Sequence, residues 1–390
     1  MTFQVPTVLP ERLSPSTVAA AALAGAAVFS ARLALANGLL VVALGAGWVA
    51  WRRGELAGHP LARPLLAPLA AFAALSVLAA LASLDPLVSV GNLPRLLVFA
   101  VVPLAAAWLD ESWWPRLVTG LALTGGVLSV WGIVQYHLGA DSLEHRIRGP
   151  LSHYMTYSGW LLLVVLVLLT DALLSGRRLW QVVPAALGIV ALVLSFTRNA
   201  WVGLVAGLLL LAVLWHRRLL LVYPLAFLLL WAVLPHAIVA RAVSTVDLRQ
   251  PANYDRLCMA ISGVQMVRDH PWSGVGLGMV SSMYSLYRRD DAPRWRVPHL
   301  HNNLLQIAAE RGLPAAAAYL WLLGAFARQA WRGVGQPDRR RRVMAAASLV
   351  AVTGITVAGL FEYNFWDAEI QYLTLVLMGV GARTGEVAPR

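Results

Sequence analysis

A chain of 390 residues that is 59% hydrophobic and 13% charged, with a mean hydropathy of +0.67, is too apolar for a soluble domain and reads as a multispanning membrane protein. All 31 basic residues are arginine and the formal net charge is +12; they fall in short clusters between apolar runs, which points to topology and anionic lipid and argues against nucleic acid. The one cysteine, Cys258, excludes an internal disulfide and a cysteine-based metal cluster.

Glu11 and Arg12 precede an alanine-rich run with no convincing small-residue cleavage site, so the N-terminus reads as a first span and not a removed signal. Apolar length and flanking charge predict spans at 15–32, 34–51, 64–84, 94–109, 117–138, 154–174, 179–197, 199–215, 219–235, 313–331, 343–361 and 367–382. With a cytoplasmic N-terminus, the clusters Arg52/Arg53/Arg63, Arg116, Arg177/Arg178, Arg217/Arg218, Arg328/Arg332/Arg339–Arg342 and Arg383/Arg390 all fall inside, as the positive-inside rule requires. The expectation is an all-α polytopic membrane protein with about twelve transmembrane helices. Residues 1–235 hold helices one to nine, 236–312 form one large outer loop, and 313–390 hold helices ten to twelve.

The same topology leaves arginines on the outer face: Arg146 and Arg148, Arg198, and eight more between His236 and Pro298. Excess positive charge there asks for an anionic partner. Ion pairs with Asp247, Asp255, Asp269, Asp290 and Asp291 are the alternative for most of them.

In SFTRNAW, Ser195 to Trp201, a helix over 179–197 spans nearly the hydrocarbon thickness, so Arg198 emerges at the outer headgroups. Its guanidinium is always charged and can grip phosphate in a bidentate fork; simple snorkelling is the bland explanation. Downstream, Leu257, Ala260, Ile261, Val264 and Val267 recur at helical spacing, with Asn253 as a cap and Pro271 beyond the end. Arg256 then sits in the first turn. A cation is disfavoured there unless an anion binds, and an ion pair with Asp255 or another acid is the alternative.

Gly274, Gly276 and Gly278 lack the preceding strand of a dinucleotide loop and read as a flexible turn. Tyr284, Tyr287 and Trp295 are either sugar-stacking groups or interfacial anchors.

The stretch HLHNNLLQIAAERGLP, His299 to Pro314, sets two histidines and two asparagines where water meets hydrocarbon. A neutral imidazole there can take a proton from a sugar hydroxyl, with Asn302 or Asn303 orienting the ring or the acceptor. Spacing does not choose between His299 and His301. GPLSHYMTYSG adds Arg148, His153 and Tyr154 to the same face, and FEYNFWD adds Glu362, Tyr363 and Asn364; each is a substrate contact or an interfacial anchor. No metal site is expected, because Arg288 and Arg289 flank the adjacent Asp290 and Asp291 and no other carboxylates have divalent-site spacing.

Taken in order around a large late outer loop, SFTRNAW, NYDRLCMAISGVQMVRDHPWSGVGLGM and HLHNNLLQIAAERGLP resemble the O-antigen ligase and polymerase superfamily of bacterial envelopes, over roughly residues 145–330. GPLSHYMTYSG and the spacing from His301-Asn302 to Gly312 make the ligase the nearer likeness, although Ala315 to Ala318 stand where ligases often carry a second glycine and threonines. The resemblance implies an inverting glycosyltransferase of the inner membrane, facing the periplasm, that uses neither metal nor nucleotide cofactor. It would move polysaccharide from undecaprenyl pyrophosphate to the lipid A-core, with membrane lipids its other partners. By the same resemblance His301 is the essential histidine, and Arg198 and Arg256 are the essential arginines. His299, Asn302, Arg148, His153 and Tyr154 remain possible substrate contacts. An O-antigen polymerase or protein O-oligosaccharyltransferase, and a lipid-linked oligosaccharide flippase, are the competing expectations.

Overall fold

A computed structural model describes residues 14–55, 59–176, 179–221, 236–244, 247 and 249–386. The described residues are helical and contain no strand, apart from one bridge between Asp141 and Arg146. The helices run α1 (Pro15–Val28), α2 (Leu33–Arg52), α3 (Arg63–Leu81), α4 (Pro86–Gly91), α5 (Val101–Trp108), α6 (Trp114–His137), α7 (Tyr154–Ser175), α8 (Val182–Leu194) and α9 (Arg198–Trp215). Next come α10 (His236–Val243), α11 (Pro251–Asp269) and α12 (Val280–Tyr287), then α13 (Asn303–Val334), α14 (Arg339–Ala358) and α15 (Ala368–Thr384).

Seven stretches among the described residues are long and apolar enough to cross a membrane: α2, α3, Pro86–Trp108, α6, α7, α9 and α14. Twelve were expected, and the remaining five are shorter, interrupted or mostly outside the described residues. Helices α1 and α8 have 14 and 13 residues, about 20 Å at 1.5 Å per residue. Helix α15 has 17. The tenth expected span belongs to α13, whose polar first part lowers its hydropathy and whose backbone breaks at Gly312. The expected span at 94–109 is a composite of α4, a 3-10 segment Leu93–Ala100 and α5. The expected ninth span, 219–235, lies mostly outside the described residues.

Helix α7 is the centre of the bundle. Tyr157 to Leu168 are buried on every face, as expected of a helix that is apolar all round. Its neighbours α9 and α14 approach closely where Gly203 meets the Gly354 carbonyl; a Cβ at Gly203 would lie 2.5 Å from that oxygen. At one end of α7 stands His153, its N-cap. At the other, Arg339 Nε and Nη2 each donate to the Leu174 carbonyl at 3.1 Å. The arginine cluster Arg339–Arg342 therefore lies a full helix length from the histidines.

The outer region has its own core of Met259, Met266, Val275, Met279, Val280, Tyr284, Val297, Leu300 and Ala309. Tyr284 is fully buried there and cannot stack on a sugar, while the exposed Trp295 carries Arg288 Cζ 4.4 Å over its ring. Helix α11 departs from its expected start and face. Gln250 precedes it and Pro251 opens it, so Arg256 is in the second turn and Asn253 is no cap. The packed face is Cys258, Met259, Ser262 and Met266, whereas Leu257 and Val264 of the expected apolar stripe are exposed.

The glycine run is tightly packed and not the flexible turn expected of it. Val275 and Gly276 donate their N–H groups to the Ala309 and Glu310 carbonyls of α13. A Cβ on Gly274 (φ 67°) would lie 2.4 Å from the Glu310 carbonyl carbon, and one on Gly312 (φ 79°) 2.3 Å from the Trp272 oxygen. The kink in α13 thus seats the outer region on the bundle.

Candidate active site

His301 is held from both sides. Leu300 before it packs in the outer core and donates its N–H to Gln306 Oε1 at 2.8 Å, and Asn302 after it caps α13, accepting from Leu305 N at 2.9 Å. Between these anchors the backbone of His301 takes the left-handed conformation, φ 53°, uncommon for a residue with a side chain. Asn303 ties this corner to the loop between α14 and α15. Its N–H donates to the Gly359 carbonyl at 2.7 Å, its Nδ2 donates to Asn364 Oδ1 at 2.7 Å, and its Oδ1 accepts from Asn364 N at 3.0 Å.

That loop carries Glu362, which is 3% exposed, directly beneath the ring: His301 Nδ1 lies 2.9 Å from Glu362 Oε2. His299 Nδ1 is 3.8 Å from Oε1, and Arg256 Nη2 is 3.7 Å from Oε2. Burial alone would raise the Glu362 carboxyl, but the bond and charge of His301, with His299 and Arg256, hold it below the usual range. An ionised carboxylate can only accept, so Nδ1 of His301 bears a proton, and in the neutral ring Nε2 is the nitrogen that can accept one. His299 packs edge-on against His301 with ring centroids 4.3 Å apart, and burial, aided by that neighbour, pushes it down to about 4.

The tight turn from α8 to α9 places Arg198. Phe196 at its corner also has a positive φ, 53°, and Arg198 is the first residue of α9. Its side chain is buried at 6% exposure, donating from Nη1 to the Ser244 carbonyl at 2.9 Å and from Nη2 to Asn253 Oδ1 at 2.6 Å. An arginine fixed this way is not snorkelling. Asn253 Nδ2 in turn donates to the Ser244 and Asp247 carbonyls. Asp255 pairs with Arg294 Nε at 2.6 Å, leaving Arg256 its looser contact with Glu362.

These groups converge. A cavity of about 310 Å³ is lined by Arg146, His153, Tyr154, Arg198, Arg241, Arg256, Arg294, His299 and His301, among others. Five guanidinium groups face it against one carboxylate, Asp255, which Arg294 already engages. Burial and the neighbouring arginines lower Arg241 to about 10, and burial with Arg256 also lowers Arg146. Like charges gathered without matching acids form a site for a polyanion. His153 accepts from Met155 N at 3.2 Å as cap of α7; burial, then Arg146 and its neighbours, depress its ring. Tyr154 lies beneath Arg146, 4.4 Å from ring centroid to Cζ.

Arg198, Arg256, His299, His301, His153 and Tyr154 therefore share one cavity, while Arg148 and Asn302 lie outside its lining. Arg148 Nη1 donates to the Ser152 carbonyl, and Asn302 spends both ends of its amide on Leu305 N and the Leu360 carbonyl. Sequence spacing missed Arg146, Arg241 and Arg294 as lining groups and Glu362 as the ring's partner; excess outer charge was the available signal for the arginines. One nitrogen of each histidine and a Glu362 oxygen lie within 4.8 Å of one another, close enough for a divalent cation. Such an ion would share its carboxylate with Arg256 and face the other four arginines, so the donor set fits a metal poorly.

No curated protein matches the chain. Residues 183–320, from the start of α8 into the second half of α13, match a family model described as O-antigen ligase. That segment holds Arg198, Arg256, His299 and His301.

Proposed function

We propose that the protein is an inverting glycosyltransferase that moves O-antigen polysaccharide from undecaprenyl pyrophosphate to a sugar of the lipid A-core at the periplasmic face of the inner membrane. One observation carries this reading: a histidine paired with a buried carboxylate opens into the same cavity as five arginines. In the reaction Nε2 of His301 takes the proton of the acceptor hydroxyl as its oxygen bonds to the anomeric carbon. Glu362 holds the ring's tautomer and offsets the positive charge that the ring acquires. The bond from the anomeric carbon to the pyrophosphate oxygen breaks on the opposite side, and Arg198, Arg256 and the other arginines offset the charge on the departing diphosphate. Divalent cations serve this last purpose in other phosphate chemistry, and here the guanidinium cluster suffices.

The orientation is supported by charge. Arg339–Arg342 lie at the end of α7 remote from the cavity, so the rule that places basic clusters in the cytoplasm turns the cavity outward. Purified protein given the lipid-linked donor with lipid A-core, free lipid-linked repeat or a pilin-type protein as acceptor tests the reading. Transfer to lipid A-core in the presence of a chelator is expected. Transfer only to the lipid-linked repeat would make it a polymerase, and transfer only to the pilin a protein oligosaccharyltransferase. Donor translocation that survives His301→Ala would make it a flippase.

A further inference from the structure

Past His299 the arginine-lined cavity adjoins a second one of about 340 Å³, and His153, Met155, Asn199, Pro298 and His299 line both. The second cavity differs in charge. Glu362 and Asp367 line it with Thr156, Tyr363 and Asn364, and no arginine is among its lining residues. Asp367 ends the loop that carries Glu362, and its Oδ2 accepts from Thr156 Oγ1 in the first turn of α7 at 2.7 Å, fastening α15 to α7. Burial, and then Glu369, raise Asp367 to about 8, so at neutral pH it offers a donor as well as an acceptor.

A diphosphate in this space would meet two carboxyl groups and no guanidinium. An uncharged ring bearing hydroxyls would meet acids, amides and a hydroxyl, all of which exchange hydrogen bonds with sugar. The volume is within the range of cavities that enclose small ligands. Glu362 borders the space while its partner His301 opens into the arginine cavity. The proton-accepting pair thus stands between a cationic and an acidic chamber.

We infer that the second cavity is the acceptor subsite: it takes a neutral, hydroxyl-rich sugar ring and delivers one hydroxyl past His299 to His301, while the diphosphate stays among the arginines. This rests on the transferase reading above. Opposite chambers also suit a displacement in which the incoming oxygen and the departing diphosphate lie on opposite sides of one carbon.

The test combines kinetics and binding on purified full-length protein, wild type, Asp367→Asn and Thr156→Val, with melting temperature as a check of folding. Acceptor and donor are varied separately, and binding of a lipid-free, phosphate-free core oligosaccharide is measured by calorimetry. Loss of a hydrogen bond to a sugar should raise the acceptor KM about tenfold in either folded variant, weaken oligosaccharide binding to match, and leave the donor KM within about twofold. Unchanged acceptor KM and binding in both folded variants, a donor KM raised equally, or no oligosaccharide binding to wild type would overturn the assignment. Should wild type bind the oligosaccharide yet transfer nothing, the transferase reading fails, and loss of binding in the variants still locates the sugar. If both variants fail to fold, Tyr363→Phe, which removes a hydroxyl from the wall of the second cavity alone, replaces them with the same readouts.

Discussion

Glu362 Oε2 and His301 Nδ1 lie 2.9 Å apart although 61 residues separate them in sequence. The loop between α14 and α15 and the cap of α13 exist in register to make that contact, through Asn303. Glu362→Gln preserves the shape and removes the charge. Single-turnover transfer should slow by about a hundredfold, the scale of losing an oriented general base. Donor binding should be little changed, which a fluorescent lipid-pyrophosphate titration would check.

The two histidines should separate in function. His301→Ala is expected to lower the rate by about a thousandfold at unchanged donor affinity. His299→Gln should cost about tenfold, since His299 shapes the wall without holding the ionised partner. Side-by-side rates at saturating donor decide this, and equal losses would contradict the assignment of the base.

His299 also sets an acid limit on stability. Its pKa falls from an ordinary 6.5 to about 4 in the folded protein, so between those values the unfolded chain binds the extra proton. Stability is therefore complete above pH 6.5 and declines as the pH drops toward 4. In His299→Gln the melting temperature should vary less across that window.

Arg198 spends Nη1 on Ser244 and Nη2 on Asn253, two directions that one ammonium cannot serve together. Arg198→Lys should reduce kcat/KM about a hundredfold, and Arg256→Lys, whose partner is the more distant Glu362, about tenfold. In both the donor KM should carry part of the loss. Initial rates over a donor series check this.

Backbone crowding at the kink offers a test of the fold. Gly312→Ala puts a methyl group 2.3 Å from the Trp272 oxygen at a positive φ, which costs about 2 kcal/mol or more. A drop of several degrees in melting temperature is the expected result, with the arginine cavity's donor affinity falling in parallel.

That Arg198, Arg256 and His301 line one cavity fits the signal that singled them out in the sequence, polar groups on the face where the charge rule gave no reason for them. Which histidine is hydrogen-bonded to a buried carboxylate was not legible, because no local spacing links a residue beside α13's cap to Glu362 in the loop after α14. The face of α11 was misread for a related reason. Beside a membrane, exposed apolar residues such as Leu257 and Val264 are ordinary, so hydrophobic periodicity no longer marks the packed side. Composition alone did not show that α8 is short and that α13 is broken at Gly312, which keeps both from the seven stretches of uninterrupted apolar length.

Helix α7 acts as a fixed ruler. Its 22 residues set about 33 Å between the Arg339 clasp and His153, and its buried flanks prevent it from tilting alone. On the transferase reading proposed above, the arginine cavity would ride at one height above the Arg339 end of the bundle, and bilayers of unmatched thickness would have to deform around the protein, so acyl-chain length would become a control on turnover.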